Sequence, residues 1–315
     1  MTLEISLQAL RKVNIMQRME ILAPAKINLF LDVLGKRPDG YHNIKSIVLP
    51  VSVYDRIVLE NQADDIVTVA PSEIHLPGIP WPMSLCPPAE NLATRAARLL
   101  QETTGYRGGV RIVLEKNIPL GAGLGGGSSD AAAVLKGLNE LWQTGFSLER
   151  LMTLGAQLGC DIPAFIQGGC LCLEGTGERL KPVRRSRRQP LWLLLVYPGF
   201  AVSTSDIYAR CDAGLTVMGV ADKFQQVADG LEQGLTRQVA TGLYNALQPT
   251  VLRKYPLLEL LKNKLETTDA LGVELTGSGS TLYALVENAE HGNALAERLR
   301  ANIACPVWTS VAQAI

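Results

Sequence analysis

The stretch PLGAGLGGGSSDAAAVLKGL, residues 119–138, sets five glycines, Gly121, Gly123, Gly125, Gly126 and Gly127, ahead of Ser128, Ser129 and an alanine-rich helical pattern. Glycine lets a backbone approach a ligand closely and adopt positive φ. A helix start leaves N–H groups unpaired and carries a partial positive charge. Together these features make a cradle for phosphate. The bland alternative is a flexible glycine-serine linker. Against it, the loop lies between a strand pattern, VRIVLEKNIP (110–119), and an amphipathic helix. In that helix Ala131, Val134, Leu135, Leu138 and Trp142 recur at helical spacing, and Trp142 reads as core.

Spacing narrows the kind of cradle. Gly121 to Gly126 formally match GxGxxG, a weak signal alone. A dinucleotide fold needs an acid about 20 residues on, at the end of the next strand. Glu140 lies inside the helical pattern and Glu149 opens another, so neither serves. No Gly-Lys-Ser/Thr follows for a Walker loop, and protein kinases set their glycine loop elsewhere.

Composition bounds the rest. The chain has 315 residues, 47% hydrophobic and 19% charged, enough for two domains with filled cores. Thirty basic and thirty acidic residues cancel, which gives no support for nucleic acid or an acidic membrane surface. Six scattered cysteines lack zinc-site spacing and read as buried, reduced thiols of a cytoplasmic protein. No apolar run reaches the ~18 residues of a membrane span. Residues 1–18 lack the apolar core of a secretory signal and read as an N-terminal extension.

Along the chain, residues 19–34 read as a buried strand with a break at Pro24. Lys26 and Asn28 project from one face at strand spacing. Two readings stand: a lysine at a sheet edge with its head in water, or a cation and an amide aimed into a pocket. Pro38, Asp39 and Gly40 make a turn that presents Tyr41 and His42. That pair belongs either to a packed loop, the commoner case, or to a site for a planar group. Residues 46–61 are strand-like, with Pro50 as a break or edge; six prolines fall within 64–88. A helix over 89–105 stops at Gly105 and another over 147–159 is capped by Ser147. Asp161, in the apolar setting GCDIPAFIQGG, needs a partner or a task; capping a helix whose first residue is Pro163 is compatible with either. Arg184, Arg185, Arg187 and Arg188, between two prolines, read as a solvated turn in preference to an RNA- or phosphate-binding patch, and mark a boundary. Beyond lies a second α/β unit with helices near 219–240, 249–268 and 289–301, a glycine turn in LTGSGSTLYALV (275–286) and a terminal strand over 306–311.

PLGAGLGGGSSDAA resembles the central motif of the GHMP kinases, the family of galactokinase, homoserine kinase, mevalonate kinase and phosphomevalonate kinase. The resemblance runs from Met19 nearly to the end of the chain. APAKINLFLDVLGKRPDGYHNI, GCDIPAFIQGG and LTGSGST are similar to motifs of one branch, which phosphorylates a cytidine diphosphate methylerythritol in the non-mevalonate route to isoprenoids. The first of these is more specific than the glycine loop, which the whole family shares.

The resemblance implies a two-domain α/β and α+β fold. A ribosomal-protein-like mixed-sheet domain that binds ATP would span 19–180, and a ferredoxin-like, substrate-side domain would span 181–315, with ligands meeting between them. It implies ATP with Mg²⁺ and in-line transfer of the γ-phosphate to the 2-hydroxyl of the small-molecule substrate. Asp161 would be the base and Lys26 its charge partner. Pro119, Leu120, Gly121, Ala122, Gly123, Leu124, Gly125, Gly126, Gly127, Ser128 and Ser129 would wrap the ATP phosphates. Asn28 would position the hydroxyl, Tyr41, His42 and Tyr208 would hold the cytosine, and Gly277, Ser278 and Gly279 would border the substrate phosphates. The protein ligands of Mg²⁺ stay open. Asp130 is one possibility, and a carboxylate that simply stabilises a helix start is the other. Two other functions compete. A different small alcohol as substrate leaves Tyr41 and His42 without a base to hold. A non-enzymatic RNA-binding module on Arg184–Arg188 lacks net positive charge and an aromatic-basic stripe.

Overall fold

β1 (Arg18–Lys36) and β2 (His42–Gln62) are long strands of an antiparallel hairpin, and the sequence bends them. Their pairing slips at Pro24/Ala25, Asn28/Phe30 and Val33/Gly35. The first slip falls at a proline, which has no N–H for the ladder. It changes which face the odd-numbered residues line. Ala23 joins the core beneath the helices, whereas Ala25, Ile27 and Leu29 join the core shared with the second half of the chain. Pro50 does not break β2. It pairs with Lys26, and the irregularity lies at 52–53, between the partners of Ala25 and Pro24.

This computed structural model describes residues 18–70, 73–74, 76–81, 83–211 and 219–315. The N-terminal extension expected over 1–18 lies outside them except for Arg18, which opens β1. After the hairpin come β3 (Val67–Val69), the short pair β4 (Glu73–Ile74) and β5 (Met83–Ser84), α1 (Leu92–Thr104), β6 (Gly109–Glu115), α2 (Gly126–Leu141), α3 (Leu148–Ala156), α4 (Ile162–Gln167), β7 (Leu171–Gly175) and β8 (Arg179–Pro182). The second half holds β9 (Trp192–Tyr197), α5 (Thr204–Arg210), α6 (Val220–Gln233), α7 (Thr236–Gly242), β10 (Tyr244–Asn245), α8 (Gln248–Lys254), α9 (Pro256–Glu266), β11 (Gly272–Leu275), β12 (Leu282–Val286), α10 (Ala289–Ala301) and β13 (Trp308–Gln313).

The first sheet is mixed: β10-β1-β2-β6-β3, with β7 and β8 attached to β2, and with β10 and β3 parallel to their neighbours. The second is antiparallel, β11-β12-β9-β13. Numbered within its own unit, that order is 2-3-1-4 with helices in both crossovers, the ferredoxin-like arrangement.

Local chemistry sets the helix ends. Asn91 caps α1 by accepting the Ala93 N–H at 2.9 Å, and Gly105 ends it in the left-handed region. The two expected helices after 219 are each divided in two, one at Gly234 and Leu235 and the other at Tyr255, because Gly234 turns left-handed and Pro256 cannot continue a helix. Trp142 is buried and stacks on Tyr106 with ring centroids 4.5 Å apart. Of the six cysteines only Cys170 and Cys172 are buried; Cys86 and Cys160 are exposed on loops. Among the described residues, no helix is long and apolar enough to cross a membrane.

One core, including Ile27, Leu49, Leu195, Tyr197, Tyr283 and Trp308, fills the space between the sheets. Within it the fully buried Tyr283 hydroxyl donates to the Asn28 carbonyl at 2.9 Å. Tyr283→Phe keeps the ring and leaves that carbonyl short of a donor. The expected outcome in urea unfolding is a loss of about 1–3 kcal/mol with an unchanged m value; a midpoint equal to the parent's would show that this bond does not tie the sheets.

Candidate active site

The glycine loop is held from three sides. Gly121, Gly123 and Gly125 all have positive φ, which folds the loop back on itself. At Gly123 a side chain is excluded twice over: φ is +78°, and a Cβ would fall 2.3 Å from the Thr276 carbonyl oxygen. The Val202 N–H donates to the Gly121 carbonyl at 3.0 Å and the Thr281 N–H to the Ala122 carbonyl at 3.1 Å. From the other side, the Lys26 N–H donates to the Leu124 carbonyl at 2.9 Å. The loop thus joins β1 to two turns of the second unit.

The helix after it starts earlier than the alanine run implies. α2 begins at Gly126, and its Gly125 cap offers no side chain to the first N–H groups. They remain open to an anion. Gly126, Gly127 and Ser128 keep some exposure in that turn, while the Ser129 hydroxyl is buried without a partner. Pro119, Ala122 and Leu124 are buried, and Leu120 is half-buried, so these residues shape the loop through its underside.

Behind the loop lie three buried charges. Lys116 donates to Asp55, and to Asp130 at 2.5 Å. The other Asp55 oxygen accepts the N–H groups of Asn117 and Ile118 at 2.7 and 2.8 Å, fixing the chain as it enters the loop. Burial works against the Lys116 ammonium, but the two carboxylates raise its pKa overall. Asp130 therefore serves an ion pair under the loop and is only 4% exposed.

Lys26 and Asn28 do share a face. The ammonium donates to Asn28 Oδ1 at 2.6 Å, and Asn28 Nδ2 donates to Ser46 Oγ at 2.9 Å. The turn 276–281 closes over them: a Cβ on Gly277 would fall 3.2 Å from Lys26 Nζ. Asn245 Nδ2 clamps that turn by donating to the Leu275 and Gly277 carbonyls, both at 2.8 Å. Ser278 Oγ lies 2.8 Å from Thr204 Oγ1. Burial pushes the Lys26 ammonium below its ordinary pKa, and the charge of Asp161 opposes this. Asp161 sits at the cap of α4 but in a helical conformation, and its side chain makes no capping bond. Ile162 takes the first helical position and Pro163 the second. The carboxylate is half-buried and unspent on its own helix.

The aromatic residues divide. Tyr41 is 58% exposed at the hairpin tip. His42 is buried against Tyr208 of α5, with ring centroids 5.4 Å apart. Burial, then Asp161, raise the Tyr208 phenol pKa, so this ring lies within electrostatic reach of the acid. Burial and Lys36 push His42 below its ordinary pKa.

Models of two domains match this chain, the GHMP kinases N terminal domain over residues 91–169 and the GHMP kinases C terminal domain over 227–305. A 4-diphosphocytidyl-2-C-methyl-D-erythritol kinase of Pelotomaculum thermopropionicum is 42% identical over 279 residues, 89% of this chain and 93% of that one. The chain belongs to the GHMP kinase family. The kinase of the same description from Symbiobacterium thermophilum is 40% identical, covering 90% of this chain and 95% of the relative. The crystal structure of a 4-(cytidine 5'-diphospho)-2C-methyl-D-erythritol kinase, 35% identical, superposes with a TM-score of 0.75 over 94% of this chain and 100% of the other.

In this GHMP kinase Lys26 and the turn at Gly277 meet the glycine loop, Asn28 meets Lys26, His42 pairs with Tyr208, and Tyr41 stays exposed. Sequence reasoning missed Thr276, Asn245, Ser46, Asp55 and Lys116. All but Thr276 lie outside the motifs, and Thr276 stands one residue before the expected glycines. Only Lys116, three residues before the loop, carried a local signal.

The buried triad makes a pH prediction. Burial pushes Asp130 up, Lys116 pulls it back and Asp55 adds to the rise, leaving it at about 7 against an ordinary 3.8. The folded chain then holds this proton more tightly than the unfolded one. The stability it contributes is complete below the unfolded value and is lost as pH climbs to the folded one, with a slope of at most about 1.4 kcal/mol per pH unit. Asp130→Asn should remove that loss. Urea midpoints of parent and variant, compared from about pH 4.5 to about pH 7.5, should diverge in the variant's favour as pH rises; parallel profiles would count against the triad.

Proposed function

We propose that this chain is an ATP-dependent 4-diphosphocytidyl-2-C-methyl-D-erythritol kinase, transferring the γ-phosphate of ATP to the 2-hydroxyl of the sugar alcohol in the non-mevalonate route to isoprenoid precursors. The observation that carries this reading is the buried His42–Tyr208 ring pair beside Asp161. A mevalonate or homoserine site has no planar base to hold. Here an aromatic pair lies within electrostatic reach of the acid.

The chemistry follows from placement. ATP lies with its phosphates against the glycine loop and the open N–H groups of α2. Asp161 accepts the proton of the attacking hydroxyl as the oxygen forms its bond to the γ-phosphorus and the bond to the β-phosphate oxygen breaks. Lys26 neutralises charge gathering between the reactants. Asn28 holds the Lys26 ammonium in position. A neutral His42 offers the base one donor and one acceptor, and Tyr208, with Tyr41 at the rim, provides flat surface. Mg²⁺ comes in on the ATP phosphates; among the described residues no group of three His, Cys, Asp or Glu side chains is placed to hold it alone.

Two measurements test the proposal. ATP turnover should occur with 4-diphosphocytidyl-2-C-methyl-D-erythritol and be slow or absent with mevalonate, homoserine and galactose; preference for any of these three overturns the substrate assignment. Asp161→Asn should lose about 10²–10⁴-fold in kcat while ATP still binds. Near-parental turnover in that variant removes Asp161 from the chemistry.

A further inference from the structure

A cavity of about 900 Å³ opens on the far side of Lys26. Of the residues assigned above to ATP or substrate, only Lys26 and Asp161 line it; the glycine loop, Tyr41, His42, Tyr208 and the turn at Gly277 do not. Its volume is in the range of sites that enclose a small organic molecule. Leu49, Pro50, Phe165, Leu171 and Leu173 give it apolar walls. Gly168 and Gly169, between α4 and β7, add to the open space: a Cβ on either would meet no atom within 4 Å.

The charge around it is one-sided. Lys136, Arg185 and Arg187 line the cavity beside Lys26, and Asp161 is the one carboxylate side chain among its lining residues. The arginine run alternates in direction. Arg184 points outward to Glu232, at 3.3 Å, while Arg185 and Arg187 line the cavity. Arg185 is half-buried and donates to the Ala314 carbonyl at 3.4 Å. Among the described residues, neither Arg185, Arg187 nor Lys136 forms an ion pair with a carboxylate. A half-buried and an exposed guanidinium without a carboxylate partner beside an apolar wall suit one kind of guest.

We infer that this cavity is a second ligand site, for a small organic anion with an apolar body and a phosphate, sulfonate or carboxylate head. The head meets Arg185 and Arg187, and the body lies on Leu171, Leu173 and Phe165. Occupancy reaches the reaction through Phe165, Lys26 and Asp161. A Cβ built on Gly125 would fall 2.8 Å from Phe165 Cζ and 3.1 Å from Lys26 Cγ. The ring therefore packs between the cavity and the glycine loop, while Lys26 and Asp161 themselves line the cavity, so a guest there disturbs the loop's support and the proposed catalytic pair together and slows turnover.

The probe is 8-anilinonaphthalene-1-sulfonate, a fluorescent apolar anion, titrated into the full-length enzyme. Saturable binding at one site per chain is expected, persisting at saturating ATP and in the presence of octyl phosphate's inorganic counterpart, orthophosphate. Octyl phosphate below its micellar concentration should displace the probe. The double variant Arg185→Gln/Arg187→Gln should weaken probe binding by about tenfold or more, the loss of two charge-assisted contacts, with its basal kcat unchanged. The probe should lower the parent's kcat and leave that of the variant alone. Equal affinity in the variant, stoichiometric displacement by ATP, or displacement by orthophosphate as effective as by octyl phosphate would each overturn the site. The binding readout does not depend on which alcohol the enzyme phosphorylates, so it stands or falls apart from the substrate assignment.

Discussion

Asn28 joins the two halves of the molecule, and the candidate site depends on it. Its Oδ1 accepts from Lys26 Nζ at 2.6 Å and from Thr276 Oγ1 at 3.3 Å. Its Nδ2 donates to Ser46, its N–H donates to Thr276 Oγ1 at 3.1 Å, and its carbonyl accepts from Tyr283. A buried amide is costly when any of these groups is left unpaired. Here each is used, so the amide admits one arrangement of β1, β2 and the turn after β11. The same amide fixes the direction of the Lys26 ammonium. Interdomain packing and placement of the charge are one constraint.

The glycine loop inherits that constraint. It is hydrogen-bonded to β1 through Leu124 and to the second unit through Gly121 and Ala122, so its shape follows the relative position of the sheets. Beneath it the Asp55–Lys116–Asp130 cluster sets the electrical background. Two ionised carboxylates and one ammonium would leave a net negative charge under a cradle meant for phosphate. Burial resists that state and raises the Asp130 pKa. A proton on Asp130 removes negative charge from beneath the positive end of α2.

Much of this was legible in the sequence because the signals are local. Pro24 marked the slip in β1, Gly105 the end of α1, Ser147 the start of α3, and the alternation of Lys26 and Asn28 their common face. What was hidden depends on distance along the chain. Thr276 lies 248 residues from Asn28, and nothing near a threonine, an asparagine or a serine announces a partner so remote. The start of α2 was misplaced because glycine is a poor helix former. Contacts to Thr276, Phe165 and Ile118 around Gly123, Gly125 and Gly126 override that preference and carry the helix back to Gly126, turning Ser129 inward. The arginine run is largely the solvated turn its composition implies: Arg184, Arg187 and Arg188 are exposed and Arg185 is half-buried.

Lys26 and Asp161 cannot be assigned separate duties. An ammonium withdrawn from water loses proton affinity, and the charge of Asp161 offsets that loss. Asp161 lies at a half-buried position between Cys160 and Ile162. In the proposed transfer Asp161 is the carboxylate that takes the proton, and Lys26 is the cation beside the transferring group. Under that proposal, removing the carboxylate takes away the base and also the charge that opposes the loss of proton affinity at Lys26. The freedom of the Asp161 side chain from its own helix is what makes the pairing available. Had it capped α4, its oxygens would be turned toward backbone N–H groups. Its helical backbone angles instead leave the carboxylate off the end of α4, where its charge is felt at Lys26.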